Sequence, residues 1–130
     1  MYEYQVKEVV KIIDGDTIDV FIDLGFNVFH IERVRLNRLD TPEILTKDKN
    51  EKKYGMEAKA YVSNWIKNQK QMKIQTFKDD KYGRILAEFI GDNGVCLNDL
   101  LLNEGYAWPY DGEAKITDLT LLEARRKSKS

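Results

Sequence analysis

Apolar residues alternate with polar ones through the first third of the chain, and a helical period replaces the alternation further on. "EVVKII" is apolar, "DGD" is a turn signal, and "TIDVFIDL" places Ile18, Val20 and Ile22 on one face, which predicts a hairpin through Asp14 and Gly15. After a second turn near "LGFN", the segment "VFHIERVRLNRL" is again extended. Its apolar parity changes between Ile31 and Val34, as in a bulged strand or one shared by two faces. Residues 44–53, "ILTKDKNEKK", are polar and without period, and read as a loop. In "YGMEAKAYVSNWIKNQK", Ala58, Tyr61, Val62, Trp65 and Ile66 recur at three and four positions, which predicts a helix with Trp65 in the core. "QMKIQTF" and "RILAEFI" are two further strands, separated by "DDKYG" and closed by the turn "GDNG". A short helix over Leu97–Asn103 turns Leu97, Leu100 and Leu101 inward, an aromatic linker "YAWPYDG" follows, and a last helix is expected over Asp118–Lys127, with Thr120 and Glu123 as a capping pair.

The order is three strands, a helix, two strands and a helix, with a terminal helix after the linker. The first three strands are joined too tightly for parallel crossovers. The expected fold is therefore mainly β with α: a five-stranded Greek-key barrel of the oligonucleotide-binding kind, packed with about three helices. With 130 residues, 42% of them hydrophobic, the chain is long enough to bury a core without staples, and residues 1–130 are expected to form one domain. The single cysteine, Cys96, lies among apolar neighbours and is expected to be a structural thiol. No apolar run approaches the ~18 residues of a membrane span, so no membrane partner is expected. The amino terminus lacks the features of a signal peptide. A formal net charge of −1 argues against a protein that wraps nucleic acid in a positive field. The basic clusters at Lys47, Lys49, Lys52 and Lys53 and at Arg125, Arg126, Lys127 and Lys129 read as solvated surface.

Candidate chemistry gathers at two turns. Asp14 and Asp16 flank Gly15, and Asp40 and Glu43 flank Thr41-Pro42. Either pair alone is ordinary turn chemistry. Together they form an oxygen-rich set: Asp16, Asp40 and the carbonyl of Thr41 suit a hard cation such as calcium, which takes oxygen ligands at about 2.3 to 2.6 Å. No histidine or cysteine cluster suggests zinc, and His30 reads as an ordinary strand residue. Phosphodiester hydrolysis needs a base near an attacking water and cations around the non-bridging oxygens. Glu43 fits the first role and Arg84, at the start of a strand, the second. Pattern alone does not separate Arg33, Arg35 and Arg38.

"DGDT" at 14–17, "RLNRLDTPE" at 35–43, "YGMEA" at 54–58 and "DKYGR" at 80–84, in that order, resemble the signature of the staphylococcal nuclease (thermonuclease) family, from about Val9 through Tyr110. The resemblance implies a calcium-dependent nuclease that cleaves DNA and RNA with low sequence specificity, leaving 3'-phosphate and 5'-hydroxyl ends. It implies Asp16, Asp40 and Thr41 as metal ligands, Asp14 as a group that tunes the metal site, and Glu43 as the residue that activates water. It implies Arg35 and Arg84 as phosphate clamps, with Lys81, Tyr82 and Tyr110 contacting the nucleotide. The segment "DLGFNVFHIERV" departs from the most familiar member. The competing reading is a noncatalytic barrel that binds nucleic acid or protein. A monomer is expected. The compartment stays open between an extracellular setting, if a leader was removed, and a cytoplasmic or mobile-element-encoded one.

Overall fold

Alternation in the second segment does what a half-buried strand requires: Ile18, Val20 and Ile22 are at most 3% exposed, and Asp19 and Phe21 point the other way. The computed structural model describes residues 2–79, 83–111 and 118–129. β1 (Tyr2–Asp14), β2 (Thr17–Asp23) and β3 (Phe29–Leu36) form an antiparallel meander, with Asp14 opposite Thr17 across the first turn. β1 begins before the apolar run that announces it. Its register against β2 shifts at Val6/Glu8, Val9/Lys11 and Ile12/Asp14, and each shift breaks the period that would have revealed the strand.

β3 carries no such shift. It pairs with β2 without a break from Thr17↔Arg35 to Asp23↔Phe29. The parity change has the second of its two possible causes: Val34 and Leu36 enter the core, whereas Phe29 and Ile31 lie on the opposite face and stay exposed. β4 (Leu39–Asp40) is a two-residue strand. β5 (Lys73–Asp79) and β6 (Ile85–Ile90) form the second hairpin, β6 runs parallel to β3, and β5 pairs back onto β1. The barrel therefore closes in the order β1-β2-β3-β6-β5, the oligonucleotide-binding architecture expected from the sequence. Phe89, Ile74, Val34 and Leu36 fill it, each contributing about 1.5 to 3 kcal/mol by leaving water.

Three α-helices pack on the barrel among the described residues. α1 (Lys49–Lys67) starts inside the segment expected to be a loop, because the Asp48 carboxylate accepts from the Asn50 and Glu51 N–H groups and caps it. Its Ala58 and Val62 are fully buried; Trp65, expected in the core, is half-buried at its edge. α2 (Leu97–Asn103) buries Leu97 and Leu101, with Leu100 half-buried. It also buries Asn98, whose Oδ1 accepts from the Phe89 N–H at 3.0 Å while Nδ2 donates to the Asn37 and Ala87 carbonyls. α3 (Leu119–Lys129) is capped by Asp118, which accepts from the Thr120 N–H and hydroxyl. The expected Thr120–Glu123 pair does not form, since Glu123 accepts from the Tyr54 hydroxyl on α1. Arg126 leaves the solvated cluster to which it was assigned. Its guanidinium lies over the Tyr54 and Tyr106 rings at 4.8 and 4.4 Å and donates to the Gly105 carbonyl and Glu57. No helix among the described residues is long and apolar enough to cross a membrane.

Candidate active site

The Thr17↔Arg35 pairing sets Arg35, near the end of β3, beside the turn that carries Gly15 and Asp16, and a bond from the Leu36 N–H to the Asp16 carbonyl (2.8 Å) fixes the two together. The chain then reverses at Arg38, in the left-handed region at φ 72°, and returns as β4. β4 pairs with β7 (Trp108–Pro109), Asp40 opposite Trp108 and Leu39 opposite Pro109. The aromatic linker is thus a strand partner of "RLDTPE", invisible in sequence because two-residue strands have no period. Trp108 is buried and donates to the Asp118 carbonyl, and the Tyr110 N–H donates to the Arg38 carbonyl.

Small residues let these pieces touch. A Cβ at position 15 would lie 2.8 Å from Ala58 Cβ and 3.0 Å from Thr41 Cγ2; one at position 55 would lie 2.7 Å from the Pro42 carbonyl oxygen. Gly55 and Ala58 of "YGMEA" therefore give α1 its close approach to both turns.

At the centre, Arg35 donates from Nη1 to Asp16 Oδ2 at 2.7 Å, and from Nη2 to Asp40 Oδ1 at 3.2 Å and the Leu39 carbonyl at 3.3 Å. All three side chains are buried. The Thr41 N–H and the Thr17 hydroxyl also donate to Asp16, and the Arg35 guanidinium lies 5.9 Å from the Tyr110 ring. Burial, and then the neighbouring Asp16 carboxyl, push Asp14 up to about 7. Burial works against ionisation of Asp16 too, but the hydrogen bond to Asp14, the Arg35 charge and the Thr41 N–H outweigh it and hold Asp16 well below the usual carboxylate range. Burial likewise opposes the Arg35 charge, and Asp16 and Asp40 more than offset it, raising its pKa.

The structure thus brings Asp14, Asp16, Arg35, Asp40, Thr41 and Tyr110 into one cluster. Glu43 follows on the same loop and is exposed, whereas Asp40, Thr41 and Pro42 are buried. Arg84 is half-buried immediately before β6, whose first residue, Ile85, pairs with Val34 next to Arg35. Lys81 and Tyr82 lie outside the described residues. Of the three arginines that pattern could not separate, Arg33 forms an exposed bidentate pair with Asp19, and Arg38 turns to Glu88 and Asp99. Arg35 alone of them meets the turn acids.

The donor set fits a hard cation: two buried carboxylates, a threonine, and no nitrogen or sulfur ligand. Thr41 Oγ1 is also a buried polar atom with no hydrogen-bond partner among the described residues. Asp16, Asp40 and the carbonyl of Thr41 would hold such an ion. A second group went unnoticed in the sequence. Ligand atoms of Glu88, Cys96 and Asp99 lie within 4.8 Å of one another, close enough to chelate a divalent metal. Arg38 is already the counterion there, donating to both carboxylates, and Asn98 donates to Glu88 at 3.3 Å. Burial raises the Cys96 thiol. Glu88 on β6, Cys96 just before α2 and Asp99 within it are spaced over twelve positions and carry no motif, so nothing in the sequence announces them.

The family described as "Staphylococcal nuclease homologue" matches residues 33–130. An uncharacterised protein of Methanocaldococcus jannaschii is 29% identical over 98% of this chain and 70% of its own length. An uncharacterised endonuclease of Escherichia coli is 31% identical over 79% of this chain and 60% of its own length. Endonuclease YhcR of Bacillus subtilis is 29% identical over 79% of this chain, which spans 9% of that longer protein.

Proposed function

The chain belongs to the staphylococcal nuclease homologue family, and on that basis we propose that residues 1–130 form one thermonuclease-like domain that hydrolyses phosphodiesters of DNA and RNA in a calcium-dependent reaction. The observation that carries this reading is the buried Asp16–Arg35–Asp40 constellation, with buried Thr41 bonded to Asp16 through its N–H and exposed Glu43 further along the same loop. Bound at Asp16, Asp40 and Thr41, calcium would polarise a phosphate oxygen and compensate the acids. Glu43 accepts a proton from the attacking water. Arg35 and Arg84 donate to the equatorial oxygens, where negative charge grows as the nucleophile arrives. Asp14 acts on the metal site through Asp16. Lys81, Tyr82 and Tyr110 hold the nucleotide. Attack in line with the 5' oxygen leaves 3'-phosphate and 5'-hydroxyl ends. Phosphate contacts locate the backbone without reading sequence, so base specificity is low, and single strands or frayed duplex are preferred.

Arg35 is engaged by two acids in this structure, the one observation that favours the alternative, a noncatalytic barrel module. One experiment separates the readings. Single-stranded DNA is incubated with the protein and either calcium or excess chelator, alongside Glu43→Gln, and the end groups are mapped. Fragmentation that requires both calcium and Glu43 supports the enzyme. DNA left intact over a broad pH range rejects it.

A further inference from the structure

The β2–β3 hairpin carries apolar surface that the barrel does not use. Leu24, Phe26, Val28, Phe29 and Ile31 are all exposed, Phe26 completely. On the outer face of the hairpin, Phe21 pairs with Ile31 and stacks on Phe29 at 5.2 Å between ring centroids. Singly scattered apolar residues on a surface need no explanation, but a cluster on one strand face does. The backbone adds a second observation. β6 pairs with β3 only at Val34, Arg35 and Leu36, so among the described residues no strand pairs with Phe29–Arg33 on the side away from β2. An exposed apolar edge with unmet backbone donors and acceptors is a template for strand addition.

We propose that this edge pairs with the same edge of a second copy of the chain, antiparallel, about a two-fold axis midway between the two Ile31 residues. The sequence "FHIER" is complementary to itself under that operation. Ile31 meets Ile31 of the partner subunit; His30 meets Glu32 of the partner subunit, and an imidazole N–H donates to a carboxylate whether or not the ring is charged. Phe29 meets Arg33 of the partner subunit, on the same face as the isoleucines, where a guanidinium packs on the ring. Within one copy His30 already reaches Glu32 at 2.8 Å, so these two side chains lie together on the edge they would pair across, while Arg33 would turn from Asp19 on β2 to reach the partner's ring. The surroundings disfavour nucleic acid as the occupant. Asp23 lies opposite Phe29 and Glu8 opposite Phe21, while Arg33, the cation of this face, is already paired with Asp19. This surface lies outside the candidate active site, and the paired form departs from the monomer expected from sequence.

The test is sedimentation equilibrium of the full chain across a concentration series reaching the sub-millimolar range. The wild type should show reversible dimers. Ile31→Lys, at a position 60% exposed and so tolerant of charge, sets two ammonium groups across the axis and should weaken dimerisation at least tenfold with an unchanged circular dichroism spectrum. Glu32→Lys should weaken it similarly, and the exchanged pair His30→Glu with Glu32→Lys should restore it, which a nonspecific apolar contact would not do. A wild type that stays monomeric throughout, dimers indifferent to Ile31→Lys, or an exchange that fails to restore pairing would overturn the proposal. So would a monomer whose affinity for single-stranded DNA falls in Ile31→Lys, for then the face is a nucleic-acid surface.

Discussion

Arg35 and Arg84 share a proposed role but not an environment, and their removal should have different consequences. Arg84 is half-buried at the start of β6. Arg84→Ala should keep the fold and lose on the order of 10² to 10³ in turnover, about 3 to 4 kcal/mol of transition-state stabilisation. Arg35 is the counterion of two buried acids, so Arg35→Ala also removes the cation that Asp16 and Asp40 share. Leaving one side of a buried pair uncompensated typically costs about 3 to 5 kcal/mol. Chemical denaturation without calcium should show that loss for Arg35→Ala. Cleavage by both at the wild-type rate would remove them from the mechanism.

At the scale of elements, one contact decides how well the site is held and another joins two connecting segments. α1 meets the Pro42–Glu43 loop at Gly55, where a methyl group would lie 2.7 Å from a backbone oxygen that cannot swing away. Gly55→Ala should therefore move the loop that bears Glu43, lowering turnover at saturating substrate more than it lowers stability; overpacking of this kind costs about 1 to 3 kcal/mol. Paired kinetics and thermal melts measure the two effects. The second contact is Asp92, which joins the end of α1 to the turn before α2 by accepting from the Lys70 and Gln71 N–H groups at 2.8 and 3.0 Å. Those two bonds hold its carboxyl below its ordinary 3.8. A depressed folded-state pKa means stability that is present above the unfolded value and lost as pH falls through the folded one. Melting temperature followed from about pH 6 to about pH 2 should decline less steeply below the ordinary carboxylate pKa in Asp92→Asn than in the wild type.

For the whole molecule, a ligand that binds only the folded state stabilises all of it. Calcium at about one hundred times its dissociation constant should add about 2.7 kcal/mol, a rise in melting temperature on the order of 10 °C for a chain of this size. Asp40→Asn should abolish most of the rise, since it removes a proposed ligand from beside Asp16. An equal rise in that variant would place calcium elsewhere than beside Asp16 and Asp40.

Much of this was legible in the chain. Ile18, Val20 and Ile22 announced their strand by period, Ala58 and Val62 their helix, and the order of tightly joined strands announced the barrel, because binary patterning is set by which face must leave water. The acids and arginines were visible as residues, and the ordered motifs gave them candidate roles. What the sequence by itself did not determine is anything that depends on two distant segments meeting. β1 was half hidden because bulges break its period. Ladder β4–β7 was hidden because it is too short to have one. Nothing local distinguishes Arg33, Arg35 and Arg38, three arginines of one strand and its turn. Their partners are Asp19 across a hairpin, Asp16 and Asp40 at two turns, and Glu88 on a strand fifty residues away. Sequence determined which faces are apolar and which side chains carry charge; tertiary structure decided which charges meet, because Coulomb energy and hydrogen bonding depend on distance in space, and closing the barrel is what sets that distance.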